Sequence, residues 1–334
     1  MTREAARREN ILVIKLGALG DFVQALGPFA AIRAHHDARD ATGHAHITLL
    51  TTPPFEALAA RTGFFDSIWT DGRPKGLIAL LALVRRMSWA HFTRVYDLQT
   101  SSRSSLYFHL LRPRTEWSGI ARGASHPHGN PLRDRMHTVD RQAEQLRAAG
   151  IAETPQGDVT RLAGDIPAHD LVGTQAPFGL LVPGSAPTRP AKRWPIEGYV
   201  SVAREWAAQG LVPVAIGTAS EAGLGAAIAR AVPGAVDLTG RTSVFDIVTL
   251  ARAAARAVGN DTGPMHLIAA AGVPTVVLFG ADADPALCAP RGPHVTILAA
   301  DDIRAHTPAA VLRAGEAACA RSAGTGGKVG TDKA

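Results

Sequence analysis

The chain has 334 residues, of which 46% are hydrophobic and 19% charged. At about 150 residues per domain that length implies two domains, and the composition excludes intrinsic disorder. Lys and Arg number 35 against 29 Asp and Glu, a formal charge of +6, which favours anionic partners: phosphate, nucleic acid or a lipid headgroup surface. The only cysteines, Cys288 and Cys319, exclude a disulfide scaffold and fit a reducing cytoplasm. No apolar core of signal-peptide length precedes Ile11, and no apolar run is long and unbroken enough to span a bilayer.

The apolar pattern alternates between short runs and helical periods. Ile11–Leu16 reads as a buried parallel strand ending at Gly17. Asp21 opens a helical stretch with Phe22, Leu26 and Phe29 on one face, and Pro28 within it predicts a kink or restart. Ile47–Thr51 is a second strand, followed by Pro53-Pro54 and a helix through Arg61. Ile68–Thr70 reads as a strand, Gly76–Met87 as a helix and Val95–Leu98 as a strand. Gly, Pro, Asp and His break any period between Gly150 and Pro177, where the interdomain linker is expected. The alternation then resumes. Strands are expected at Gly179–Val182, Val212–Ile216, Ala257–Gly259 and Thr275–Phe279. Helices are expected at Tyr199–Gln209, Ala222–Ala231, Val244–Ala255, Pro264–Ala271 and Pro308–Ala320. This predicts an α/β protein with mainly parallel sheets. The expected domains are 1–165 and 178–320, with a disordered tail over 321–334.

Three strand-to-helix junctions could carry chemistry. In Gly259-Asn260-Asp261-Thr262-Gly263-Pro264-Met265-His266, a strand stops, small residues turn the chain, and Pro264 stands where a helix begins. Such a helix end offers N–H donors and a positive dipole to a diphosphate. Asp261 and Thr262 could equally serve only as caps, and the two readings weigh about the same on local chemistry. His266 taken alone reads as a packed helix residue. The segment from Pro183 to Pro195 follows a buried strand with four prolines and three cations. Backbone donors near Gly184, the Thr188 hydroxyl and Lys192 could gather around phosphate oxygens. Arg189 and Arg193 read better as a solvated basic loop, with Trp194 packed on a helix. Glu221, after a third strand, could accept from ribose hydroxyls or simply begin the next helix.

The third junction is Lys15-Leu16-Gly17-Ala18-Leu19-Gly20-Asp21. Its Gly-x-x-Gly spacing is not a dinucleotide fingerprint, and no Gly-Lys-Ser/Thr phosphate loop occurs anywhere. By spacing alone Asp21 is a helix cap.

Together these segments resemble glycosyltransferase family nine, the lipopolysaccharide heptosyltransferases, from about Ile11 to Ile303. The resemblance is most specific over Asp261–Leu267, Ala269–Pro274, Phe279-Gly280 and Lys192-Arg193-Trp194-Pro195. At Gly17 and Ala18 the family usually carries small hydroxyl residues, whereas Leu19-Gly20-Asp21 keeps its pattern. The resemblance implies a GT-B architecture, two Rossmann-like domains facing across a cleft. It also implies inverting transfer from a nucleotide-diphosphate sugar, commonly ADP-heptose, onto a lipopolysaccharide core, without a metal-binding Asp-x-Asp motif. By the same match Asp21 is the catalytic base, with Gly17 and Gly20 in the acceptor-side loop. Lys192 joins it in catalysis and, with Gly184, Ser185 and Thr188, forms the phosphate loop. Glu221 takes the ribose side, and Asp261, Thr262, Gly263, Pro264 and His266 the donor diphosphate. The nucleotide sugar is a co-substrate, and neither cofactor nor metal is implied.

From Arg73 through Arg135 there are 11 Lys or Arg against 3 Asp or Glu. That excess, in the acceptor-side domain, fits a lipid-linked acidic glycan and an anionic membrane surface at the inner face of the inner membrane. A nucleic-acid partner is not expected, because no recognised binding module accompanies the charge. Two other readings compete: a related GT-B transferase using another donor or glycan, and a non-catalytic nucleotide-sugar-binding protein.

Overall fold

The computed structural model describes residues 9–326 apart from Ala41 and Pro187. The chain forms two compact units that divide between Arg161 and Leu162.

The first unit runs β1 (Asn10–Ile14), α1 (Leu19–Val23), α2 (Leu26–Asp37), β2 (His46–Leu50), α3 (Glu56–Thr62), β3 (Ser67–Trp69), α4 (Leu77–Trp89) and β4 (Arg94–Asp97). It continues through α5 (Ser102–Leu110), β5 (Glu116–Gly119), β6 (His126–Pro127) and α6 (Thr138–Ala148). Its six strands pair in the order β3-β2-β1-β4-β5-β6, all parallel. Because both faces of such a sheet are covered, its central strand is an unbroken apolar run: Ile11 to Ile14 are fully buried. Leu12 and Ile14 pack with Leu83 and Met87 of α4 and with Tyr107, Phe108 and Leu111 in and after α5. Thus α4 and α5 cover the same face of the sheet.

The second unit contains α7 (Ala168–Val172), β7 (Phe178–Val182), α8 (Ile196–Ala208), β8 (Val212–Ala215), α9 (Ala222–Ala231), β9 (Val236–Asp237), α10 (Val244–Ala253) and β10 (Arg256–Asn260). It ends with α11 (Gly263–Ala270), β11 (Thr275–Phe279), α12 (Pro285–Cys288), β12 (Val295–Ala299) and α13 (Pro308–Gly326). Its order is β12-β11-β10-β7-β8-β9, again all parallel. Both sheets therefore have the doubly wound Rossmann order, which reverses between β1 and β4 in one unit and between β7 and β10 in the other. Open α/β sheets bind ligands beyond the carboxyl ends of their strands at such reversal points.

Several sequence expectations shift. The first helical stretch is two helices, and the second starts at Leu26 rather than at Pro28. Pro28 occupies the first turn of α2, where its missing N–H costs no hydrogen bond. Within the expected linker, α7 forms, and Gly164 donates its N–H to Phe245 O and Thr249 Oγ1 of α10. Residues from Leu162 onward accordingly belong to the second unit. The expected disordered tail is helical from Arg321 to Gly326 as part of α13; 327–334 lie outside the described residues. Periodicity failed to show β5, β6 and β9, which are two to four residues long. It should have shown β12, whose Val-Thr-Ile-Leu-Ala run is a strand pattern.

Candidate active site

In the second unit the reversal point is built around Asn260, the last residue of β10 and fully buried. Its Nδ2 donates to the carbonyls of Pro183 and Gly184, at 2.9 and 3.1 Å. Its Oδ1 accepts from the Trp194 N–H at 3.1 Å and from the Tyr199 hydroxyl at 2.9 Å. Burial raises the Tyr199 pKa, so the phenol stays protonated and remains a donor. One amide thus ties the loop after β7, the start of α8 and the end of β10 together. Sequence reading missed this role, although a polar residue closing a buried apolar strand was the available signal.

Around this knot stand most of the residues expected to bind a donor. Lys192 reaches Asp261 with Nζ–Oδ2 2.5 Å, both side chains being mostly buried. Asp261 therefore holds the ammonium beside the start of α11. Thr262 is the N-cap of α11 by backbone conformation, yet neither it nor Asp261 caps the helix through its side chain. The Thr262 hydroxyl instead donates to Asn260 O at 3.3 Å. Capping thus does not account for these two residues. Pro264, at the second helical position, has no N–H, and the Met265 N–H already bonds Thr262 O. The donors left at the helix end are the N–H groups of Thr262 and Gly263. His266 is 7% exposed, inside the helix packing as its residue type suggested.

The loop after β7 departs from expectation at Arg193. The Ser185 hydroxyl donates to Arg189 O at 3.0 Å and accepts from Arg193 Nε at 3.1 Å. Arg193 Nη2 also donates to Ser185 O. Ser185 is thereby turned into the loop as a brace, and Arg193 is its partner rather than a solvated cation. Thr188 and Arg189 are exposed. Trp194 is buried as expected, edge-on to Tyr199, with its Nε1–H on His306 O.

Glu221 begins the next helix, one of the two roles the sequence left open. Its Oε2 accepts from Thr218 N and Oγ1, at 2.7 and 3.0 Å, and the residue N-caps α9. Its other oxygen lies against Gly184, where a Cβ would come within 1.8 Å of Oε1. Gly184 is required for that close approach, which places a carboxylate beside the loop that follows β7.

In the first unit the reversal point lies beyond β1 and β4. Gly17 has φ +105°, a region that L side chains avoid, and a Cβ there would strike the Phe55 ring at 2.4 Å. Asp21 is not the N-cap of α1 but its third residue, and Oδ2 accepts from the Ala18 N–H at 3.0 Å. Gly20 lies buried within α1 rather than in a loop. Two charged groups escaped the sequence reading. Lys15 is buried and donates from Nζ to Leu98 O at 3.3 Å. Burial lowers its pKa, opposed by the charges of Asp21 and Asp97. Asp97, at the end of β4 and fully buried, accepts on Oδ1 from the N–H groups of Gln99 and Thr100. Burial pushes its pKa up to about 6 against these bonds and the nearby Lys15. The Leu16 N–H is held by Gln99 Oε1 at 2.8 Å, which joins the ends of β1 and β4. No cluster of three or more His, Cys, Asp or Glu with metal-binding geometry occurs among the described residues.

Residues 80–311 match the model of glycosyltransferase family 9 (heptosyltransferase), more than half of the chain. The chain belongs to glycosyltransferase family 9. Among curated proteins, lipopolysaccharide heptosyltransferase 2 of Escherichia coli K12 is 28% identical over 216 residues, covering 57% of this chain and 60% of that one. The chain spans no more than 60% of the length of the curated relatives it matches. Among solved structures, the family 9 glycosyl transferase of Veillonella parvula superposes with TM-score 0.77 at 19% identity, over 95% of this chain and 98% of that one. The structure described as E. coli ADP-heptose lps heptosyltransferase II superposes with TM-score 0.74 at 22% identity, over 94% and 99%. At these identities the superpositions establish the fold, the pair of Rossmann-like domains of the GT-B class. The family match covers all of the second unit's reversal point, whereas Lys15, Gly17 and Asp21 precede it.

Proposed function

We propose that the protein is an inverting glycosyltransferase that moves heptose from ADP-heptose to a lipid-linked lipopolysaccharide core at the cytoplasmic face of the membrane. The observation that carries this reading is the Lys192–Asp261 pair at the uncapped start of α11, in a family 9 chain. A diphosphate leaving group needs a cation and fixed N–H donors, and Lys192 with the Thr262 and Gly263 amides supplies both. The E. coli structure described as an ADP-heptose lps heptosyltransferase supports the donor.

In the reaction the acceptor hydroxyl oxygen attacks the anomeric carbon from the face opposite the diphosphate. Its proton passes to Asp21, and the electrons of the breaking C–O bond go to the β-phosphate oxygen of ADP. Asp21 serves as base because its carboxylate is held in a defined direction by the Ala18 N–H and needs only one proton site. Lys192 shifts from Asp261 toward the developing phosphate charge, while Glu221, held against Gly184, accepts from the ribose hydroxyls. In this reading the donor is consumed as a co-substrate, and the chain's own cation meets the leaving group.

A binding screen of ADP, UDP and GDP, followed by ADP release from ADP-heptose with and without lipopolysaccharide core acceptor, tests the reading. The expected result is tightest binding of ADP and release that depends on acceptor. Tighter binding of UDP or GDP, or no acceptor-dependent release, would overturn it.

A further inference from the structure

Nine large apolar side chains are exposed among the described residues, and six of them lie on α4 and α5: Leu77, Ile78, Leu81, Trp89, Leu106 and Leu110. Ile78 is 87% exposed and Leu77 68%. Scattered exposed apolar residues are ordinary, but a contiguous group is a binding surface. The helix α4 is apolar on both sides. Leu83, Val84 and Met87 face the core, while Ile78, Leu81, Ala82, Arg85 and Trp89 recur at helical spacing on the outer face. A surface helix normally carries charge there.

Cations surround this apolar strip. Arg73, Lys75, Arg85, Arg103 and Arg112 are all exposed; Arg86 is exposed too but pairs with Asp71, and from Gly72 to Arg114 the one acidic residue is Asp97, which is fully buried. The Arg85 guanidinium lies 4.1 Å from the centre of the Trp89 ring, and Arg86 lies 3.8 Å from that of Trp69. Arg103 of α5 donates to Pro74 O, just before α4, and the Arg112 N–H, just after α5, donates to Ser88 Oγ of α4. An outward apolar strip with Trp, flanked by Lys and Arg, is the pattern of a helix lying in a membrane interface. A second copy of the chain is disfavoured as the occupant, because two-fold pairing would bring the same cations together. A nucleic acid would leave the apolar strip without a partner.

We infer that the outer face of α4 and α5 is a docking surface for an anionic phospholipid bilayer, with Ile78, Leu81 and Trp89 entering the headgroup boundary. This deepens the reading that the acceptor is lipid-linked, by naming the surface that meets its membrane. No helix in the described residues is long and apolar enough to cross a membrane, so association through this face is interfacial and reversible.

The test is co-sedimentation of the full chain with vesicles of phosphatidylcholine alone and of phosphatidylcholine with phosphatidylglycerol, without donor or acceptor. The wild type should bind the anionic vesicles at least tenfold more tightly at low salt, with the preference shrinking as salt is added. Ile78→Ser with Leu81→Ser should weaken binding to the anionic vesicles about tenfold or more, and Lys75→Glu with Arg85→Glu should abolish the anionic preference. Both double variants should bind ADP as the wild type does, which shows that they fold. Equal binding to the two vesicle types, or wild-type binding by both variants, would overturn the inference. So would a concentration-dependent dimer lost in the serine variant without vesicle binding. Vesicle binding is read without nucleotide, so failure of ADP-heptose as donor would remove the proposed function and leave the docking surface standing.

Discussion

Replacing Asn260 tests whether one buried amide organises the donor site. In Asn260→Ala, the Trp194 N–H and the Pro183 and Gly184 carbonyls lose their Asn260 partner, while the Tyr199 hydroxyl keeps Val182 O at 3.2 Å. Three orphaned buried groups at about 1 kcal/mol or more each give a loss of about 3 kcal/mol, or about 6–12 °C in the melting temperature of a unit this size. Asn260→Asp is the sharper probe. It nearly preserves volume and keeps the Oδ1 bonds, but it turns a second oxygen toward two carbonyl oxygens in a fully buried site. Its deficit should match or exceed that of alanine at pH 8. Burial raises the folded-state pKa of the new carboxyl, so the ionised form carries the penalty. The deficit should therefore shrink as pH falls and the acid form regains a donor. Calorimetric melting from pH 8 to pH 5, with ADP titration at pH 8, reads both effects. ADP affinity should fall about tenfold or more, corresponding to about 1.4 kcal/mol. Melting of Asn260→Asp within a degree or two of wild type at pH 8, with unchanged ADP affinity, would refute the reasoning.

Lys192→Ala should weaken ADP binding about tenfold or more while leaving adenosine binding nearly unchanged, since a charged hydrogen bond contributes about 1.5–3 kcal/mol; equal losses by calorimetric titration would remove Lys192 from the phosphates. Asp21→Asn keeps an oxygen for the Ala18 N–H and should retain its melting temperature and donor binding. Its turnover should fall about a hundredfold or more, and turnover near wild type would leave Asp21 as a helix-end brace. For Asp97, the folded pKa of about 6 lies above its ordinary 3.8, so folding favours the protonated form. The resulting cost is absent below pH 3.8 and accumulates to about 3 kcal/mol by pH 6, at 1.36 kcal/mol per pKa unit. Asp97→Asn, which can keep both N–H bonds, should thus gain stability over the wild type as pH rises between 4 and 6. A stability difference flat across that range, measured by urea unfolding, would contradict it.

The sequence by itself determined the alternation of strands and helices, because strands buried on both faces must be continuous apolar runs. Ile11–Ile14, Gly179–Val182 and Thr275–Phe279 were legible for that reason. It also exposed the three junctions, since small residues, Pro264 and the cations after Pro183 stand out against those runs. The shortest strands were not legible, because β6 and β9 exist only by pairing with a neighbour. Nor could the linear pattern show which side chains meet. Spacing could not place Lys192 on Asp261, 69 positions away, or turn Ser185 inward onto Arg193. It could not reveal that Asp97 and Lys15 are buried charges at adjacent strand ends. Asn260 is the clearest case: its four partners lie 61 to 77 residues away. Only the parallel pairing of β7 with β10 makes one amide their common neighbour. Local propensity is written in consecutive residues, whereas hydrogen-bond satisfaction at a buried strand end depends on which strands the fold sets side by side.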